Sequence, residues 1–100
     1  MDYIDTRRKV LLSTQRALLG MIYPDIRAIA VGFEENKKLK LIYYLDREPN
    51  IDDYDNLSDV AGEILGDINF SEVEEICVFT KEDISNLNNL DSWVYIRKEH

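Results

Sequence analysis

The chain has 100 residues, 45% of them hydrophobic, and its formal net charge at pH 7 is −8. This length and apolar content suffice for one buried core, so we expect a single domain over residues 1–100. The negative charge disfavours direct binding to nucleic acid or to an anionic membrane, because their phosphates would be repelled, and it favours a cationic protein partner.

The first predicted element is an amphipathic helix over residues 3–21. Its apolar side chains fall on one face at helical spacing: Tyr3, Val10, Leu11, Ala17, Leu18 and Met21. Asp5 or Thr6 would cap a shorter version of this helix. Gly20 and Pro24 supply the signals that end it.

A β-hairpin is predicted next. Residues 26–33 are short, β-branched and aromatic, and residues 39–45 alternate between two faces. The polar turn between them contains Asn36, the residue best suited to a positive φ. One face of the first strand carries only small residues, which predicts that a helix packs closely there: Ala28, Ala30 and Gly32.

A second amphipathic helix is predicted over residues 50–67. Pro49 ends the preceding strand, and Asn50 can cap the helix with Asp53 as its capping-box partner. Gly66 is a C-terminal stop signal. The core-facing stripe of this helix recurs every three or four residues: Leu57, Val60, Ala61, Ile64, Leu65 and Ile68.

Two further strands, residues 76–79 and 93–97, complete the predicted fold. We expect the polar loop between them to be attached to the body by Ile84, Leu87 and Leu90. The element order α-β-β-α-β-β predicts an α+β two-layer sandwich, with both helices on one face of a mostly antiparallel four-stranded sheet.

The polar face of the second helix is unusually acidic. Residues 41–80 hold eleven acids against Arg47 alone. Five of these acids recur at intervals of three and four along the helix, and we call them the acidic ridge: Asp52, Asp55, Asp59, Glu63 and Asp67. Like charges at this spacing repel by roughly 0.2–0.5 kcal/mol per pair, and acids in the last turn oppose the helix dipole, so helix stability does not account for them.

Two interpretations of the acidic ridge remain open. It is either a solvated helix face or a surface that binds a basic partner. Uncompensated charge in the last turns favours a binding surface, because helix stability does not account for it. Tyrosines and carboxylates together also suit protein recognition. Four neighbouring residues would extend that surface: Asp46, Glu48, Tyr44 and Tyr54.

The sequence contains no recognisable catalytic or metal-binding motif. The single cysteine, Cys77, lies in an apolar strand and the single histidine, His100, is the last residue, so no Cys–His nucleophilic or metal site is expected. The acids at 52, 53 and 55 are more typical of a helix N-terminus than of a cation loop. We therefore expect no enzymatic activity and no cofactor.

The sequence also bears on the compartment. A lone cysteine allows no intrachain disulfide, and bases interrupt the apolar residues of the first twenty positions, which is unlike a signal peptide. No apolar run is long enough to span a bilayer. We expect a cytoplasmic protein.

Several short motifs resemble those of a known class of proteins. They are Arg27-Ala28-Ile29-Ala30-Val31-Gly32, Leu41-Ile42-Tyr43-Tyr44-Leu45-Asp46, Glu63-Ile64 and Trp93-Val94-Tyr95-Ile96-Arg97-Lys98-Glu99. Over residues 25–99 the chain resembles small immunity proteins of bacterial polymorphic-toxin systems, including those of contact-dependent growth inhibition. The resemblance implies an intracellular antidote that binds one toxin domain, often a nuclease. It assigns no contact residues.

The leading hypothesis is therefore a cytoplasmic immunity protein that neutralises a cognate basic toxin, expected to be a nuclease, through its acidic surface. Complementary charge would accelerate capture of such a toxin. The alternative is a generic interaction or homodimerisation module without a toxin partner. The sequence leaves the oligomeric state open.

Overall fold

The computed structural model describes residues 3–99. Helix α1 spans Tyr3–Ala17 and buries Val10 and Thr14 against the rest of the molecule. The predicted helix extends four residues too far, because residues 18–21 form a turn in which Gly20 adopts a φ of 76°. Glycine tolerates this left-handed conformation, so the turn ends the helix there.

The predicted hairpin is confirmed. Strand β1 (Ile26–Glu34) pairs antiparallel with β2 (Lys38–Leu45), with Val31 opposite Leu41. Asn36 in the connecting turn has a φ of 61°, as predicted. Both strands are buried over most of their length and form the centre of the sheet.

Helix α2 spans Ile51–Asp67 and begins with the predicted capping box. The Asn50 side chain accepts a hydrogen bond from the Asp53 backbone N–H at 3.2 Å, and Asp53 Oδ2 accepts one from the Asn50 N–H at 2.8 Å. The expected stop at Gly66 is wrong, since the helix continues to Asp67 and its C-cap is Ile68 in an extended conformation.

The remaining strands lie at the two edges of the sheet, whose order is β3-β2-β1-β4. Strand β3 (Glu72–Phe79) runs parallel to β2, and β4 (Ser92–Ile96) runs antiparallel to β1. Strand β3 begins four residues before its predicted start, because acidic side chains there obscure the apolar pattern. One of them, Glu74, forms an ion pair with Lys38 on the neighbouring strand, with 2.8 Å between Lys38 Nζ and Glu74 Oε1.

Both helices cover one face of the sheet, which confirms the predicted α+β architecture. Val10 of α1 and Leu57 and Ile64 of α2 pack there against Ile29 and Tyr43, and all five are fully buried. Burial of each such side chain contributes roughly 1.5–3 kcal/mol. This core fixes which face of α2 points outward.

The opposite face of the sheet is covered by the segment between β3 and β4, which contains a 3₁₀ turn at Ile84–Asn86. Ile84, Leu87 and Leu90 attach it to the sheet, as predicted. The small residues of β1 lie on this face, so the expectation that a helix packs against them is wrong. A Cβ on Gly32 would lie 3.0 Å from the Leu90 Cβ. The small residues are therefore required by a closely approaching loop and not by a helix.

Candidate protein-binding surface

The outer surface of α2 carries most of the acidic ridge. Because Leu57, Val60 and Ile64 face the sheet, the acids between them point to solvent. Four are exposed and have no hydrogen bond or ion pair with any residue in the described range 3–99; we call them the open carboxylates: Asp52, Asp55, Asp59 and Glu63. The last turn of α2 contains no base to compensate them.

Two of the predicted contact acids are instead compensated by arginine. Asp67 accepts hydrogen bonds from Ser13 Oγ at 2.7 Å and from Arg16 Nη2 at 2.9 Å, which tie α2 to α1. Asp46 accepts one from Arg97 Nη1 at 2.7 Å. The helix-dipole argument therefore does not hold for Asp67, because this acid has a partner on α1.

The tyrosines and Glu48 lie in three different environments. Tyr44 is 6% exposed, donates to the Asn88 carbonyl at 2.8 Å and faces the loop-covered side of the sheet, away from α2. Burial thus removes it from the candidate surface. Tyr54 is 41% exposed and its hydroxyl lies 3.5 Å from the Cys77 carbonyl, on the β3 side of α2. Glu48 is exposed before α2 begins.

The start of α2 is fixed by a buried carboxylate. Asp53 is 1% exposed and accepts two hydrogen bonds from Arg47, at 2.7 and 3.0 Å, and one from the Tyr23 hydroxyl. The hydrogen bonds from Arg47 lower the pKa of Asp53 to about 2, although burial opposes the shift. Asp53 is therefore a structural anion, even though it lies among the acids of the surface.

The middle of α2 is fixed by Asn56, which the sequence did not single out. Its Oδ1 accepts a hydrogen bond from the Tyr43 hydroxyl at 2.6 Å, and its Nδ2 donates to the Met21 carbonyl at 3.1 Å. One side chain thus connects α2, β2 and the turn after α1. The open carboxylates therefore lie on a helix whose position is fixed by the contacts of Asp53 and Asn56.

Arg27 and Arg97 form a cluster of ion pairs with acids near the end of the described range. Arg27 is buried and donates to Glu99 from Nε at 2.9 Å and from Nη2 at 2.8 Å, and to the Thr80 carbonyl. Arg97 bridges Glu99 and Asp46. These contacts attach the segment after β4 to the sheet.

An open groove of about 540 Å³ lies between the C-terminal end of α1 and α2. Its lining comprises Arg16, Ala17, Leu19, Met21, Ser58, Asp59, Gly62 and Glu63. Leu19 is 78% exposed beside it. The groove therefore combines apolar side chains with two of the open carboxylates.

The only cysteine of the sequence is buried. Burial raises the pKa of the Cys77 thiol to about 12, which keeps it protonated and a poor nucleophile. Among residues 3–99 no group of three or more His, Cys, Asp or Glu is placed to hold a metal ion. No described helix combines the length and apolar character that a membrane span requires. His100 lies outside the described residues.

Solved structures share the fold of this chain. Two variants of MamM CTD, one described as a copper form, superpose with a TM-score of 0.50 at 10% identity, covering 80% of this chain and 100% of theirs. A third variant gives the same score and identity, with coverage of 90% and 93%. At this identity the likeness concerns the fold alone.

Sequence similarity identifies the family of this chain. No curated protein matches the chain significantly. A family model described as "MafI2 immunity protein" matches residues 7–99, which is nearly the whole chain. The match includes both helices, all four strands and the acidic ridge, except for the first residues of α1. The chain therefore belongs to the MafI2 immunity protein family.

Proposed function

We propose that this chain acts in the cytoplasm as the antidote of a cationic nuclease toxin and binds that toxin through the open carboxylates of α2. Membership of an immunity protein family supports the toxin-neutralising part of this role. The observation that carries the binding surface is the row of four exposed carboxylates without a partner among residues 3–99.

Physical chemistry favours a nuclease as the target. A protein that binds nucleic acid presents Lys and Arg to phosphates, so its active-site groove is cationic. The open carboxylates would attract the cationic active site of the toxin over a distance of several ångströms and would occupy the place of the phosphates there. Because an immunity protein neutralises its toxin, we propose inhibition by stoichiometric binding.

The test is association with the toxin domain encoded beside the gene of this chain, prepared as a catalytically inactive variant. Asp55→Lys combined with Asp59→Lys should slow association about tenfold or more at low ionic strength, because charge reversal removes electrostatic steering. Stopped-flow or surface-based kinetics at two salt concentrations would measure this effect.

A matched control changes the net charge by the same amount elsewhere. Glu72→Lys with Glu82→Lys replaces two exposed acids that lie outside α2. This pair should alter the association rate much less than the α2 pair. Equal slowing by both pairs would show that overall charge, and not the open carboxylates, attracts the toxin. Absence of binding by the unmodified chain at micromolar concentration would overturn the proposal.

A further inference from the structure

The groove between α1 and α2 has an exposed leucine at its edge that the fold holds in place. Leu19 belongs to the turn after α1, where Gly20 adopts a positive φ and the Met21 carbonyl is bound by Asn56. The turn is thus held by the contact between Met21 and Asn56 and by its own hydrogen bond from the Met21 N–H to the Leu18 carbonyl at 3.0 Å. Nevertheless, 78% of Leu19 is exposed, so the fold gains little from it.

The groove also contains a glycine that the fold does not require. Gly62 lies inside α2 without a positive φ, and a Cβ added there would meet no atom within 4 Å. Glycine in a helix interior costs roughly 1 kcal/mol relative to alanine. A long side chain at this position would extend into the groove, so glycine leaves the groove unobstructed at the expense of helix stability.

The charges around the groove select the kind of group that fits it. Asp59 and Glu63 line it without a partner among the described residues, whereas Arg16 is already paired with Asp67. The available charge is therefore negative. Ala17, Met21 and Leu19 add apolar surface. An aliphatic chain that ends in a cation matches both properties, because Lys and Arg bury their stems while their heads contact carboxylates.

We propose that this groove receives a Lys or Arg side chain of the toxin, with its stem against Leu19 and Met21 and its cation at Asp59 and Glu63. The proposal rests on the proposed function and specifies where on α2 the partner anchors. The other open carboxylates, Asp52 and Asp55, act at longer range. Filling the groove should therefore increase dissociation, whereas reversing the charge at Asp55 should slow association.

Two glycines of α2 provide a matched pair of variants. Gly62→Gln fills the groove, and Gly66→Gln makes the same change one turn later, at a position that does not line it. Both should unfold at or above the temperature of the unmodified chain, because glutamine favours helix over glycine. Only Gly62→Gln should weaken binding to the inactive toxin domain, by about tenfold or more.

Leucine variants test the apolar side of the groove independently of the helix. Leu19→Ala should weaken binding several-fold, and Leu12→Ala, an exposed leucine of α1 outside the groove, should not. This pair decides the question if Gly62→Gln fails to fold. Calorimetric titration with the inactive toxin domain would measure all four dissociation constants.

The outcomes separate this proposal from the broader one. If Gly62→Gln and Leu19→Ala bind as tightly as the unmodified chain while the Asp55/Asp59 double variant binds poorly, the groove is empty in the complex and only the present proposal fails. If the unmodified chain does not bind, both fail. If light scattering shows a dimer that Gly62→Gln abolishes, a second copy fills the groove and the proposal is overturned.

Discussion

Acidic side chains behave in opposite ways in two regions of this molecule. At one end of the sheet, Asp25, Asp53, Asp46 and Glu99 each contact an arginine at 2.6–3.0 Å. We call this region the arginine-bridged end. On the outer surface of α2, the open carboxylates contact no base in residues 3–99.

The two regions are close in sequence yet differ in what maintains them. Asp53 is adjacent to Asp52, but Asp53 is buried against Arg47 and Asp52 is exposed. A carboxylate that is bound by arginine and capping hydrogen bonds stabilises the fold directly. Asp52 lies in the first turn, where the helix dipole favours an acid, but the exposed carboxylates that follow it at helical spacing repel one another. The difference assigns the first group to structure and leaves the second available for a partner.

The largest predicted effect concerns Asp53. Asp53→Ala should lower the free energy of unfolding by roughly 3 kcal/mol, because it leaves Arg47 and Tyr23 without their partner and removes half of the capping box. Urea denaturation followed by circular dichroism would measure it. The control, Asp55→Ala, removes an exposed acid two residues later and should change stability by less than about 0.5 kcal/mol. Equal losses would erase the distinction between the two regions.

The second largest effect is a loss of stability in acid, which should arise at the arginine-bridged end. The hydrogen bonds from Arg27 lower the pKa of Glu99 from 4.5 to about 2, and those from Arg47 lower that of Asp53 from 3.8 to about 2. The unfolded chain therefore takes up these protons first. The stability that the two groups contribute is complete above about pH 5 and is lost as the pH falls towards 2. The loss is on the order of 2 kcal/mol for buried Asp53 and smaller for Glu99, because solvent screens the exposed Glu99 carboxylate.

Glu99→Gln tests the origin of this acid sensitivity. The variant should be less stable than the unmodified chain near neutral pH, because a neutral amide holds Arg27 less strongly. Its stability should then fall less steeply on acidification. Urea midpoints at about pH 7, 4 and 2.5 would show both effects. An unchanged slope would mean that the pair formed with Arg27 does not control acid unfolding.

Most of the fold was predictable because periodicity reports local structure and burial. The apolar stripe of α2, the alternation in β2 and the capping box at Asn50 each indicate one element, and the structure has all three. The small residues of β1 predicted close packing correctly but the wrong partner. The identity of a packing partner depends on chain connections far away, which local pattern does not contain.

The candidate surface was predictable only in part, for the same reason. Composition located the acids. The hydrogen bonds that distinguish structural acids from open ones join distant residues, such as Arg27 with Glu99 and Ser13 with Asp67. The predicted first helix extends past residue 17, so the prediction does not include the turn that exposes Leu19. Gly62 and Gly66 are both helix-interior glycines, which is a local contradiction, but this signal does not show which of the two lines the groove.

The smallest predicted effect has the opposite sign and concerns the open carboxylates. Asp59→Asn combined with Glu63→Gln should raise the free energy of unfolding by roughly 0.5 kcal/mol at low salt, because it relieves repulsion along the helix surface while nearly preserving helix propensity. The gain should vanish at about 1 M salt, where the charges are screened. Glu82→Gln, at an exposed acid outside α2, is the control. A loss of stability in the α2 variant would place these carboxylates with the structural acids, and the row would then no longer indicate a partner.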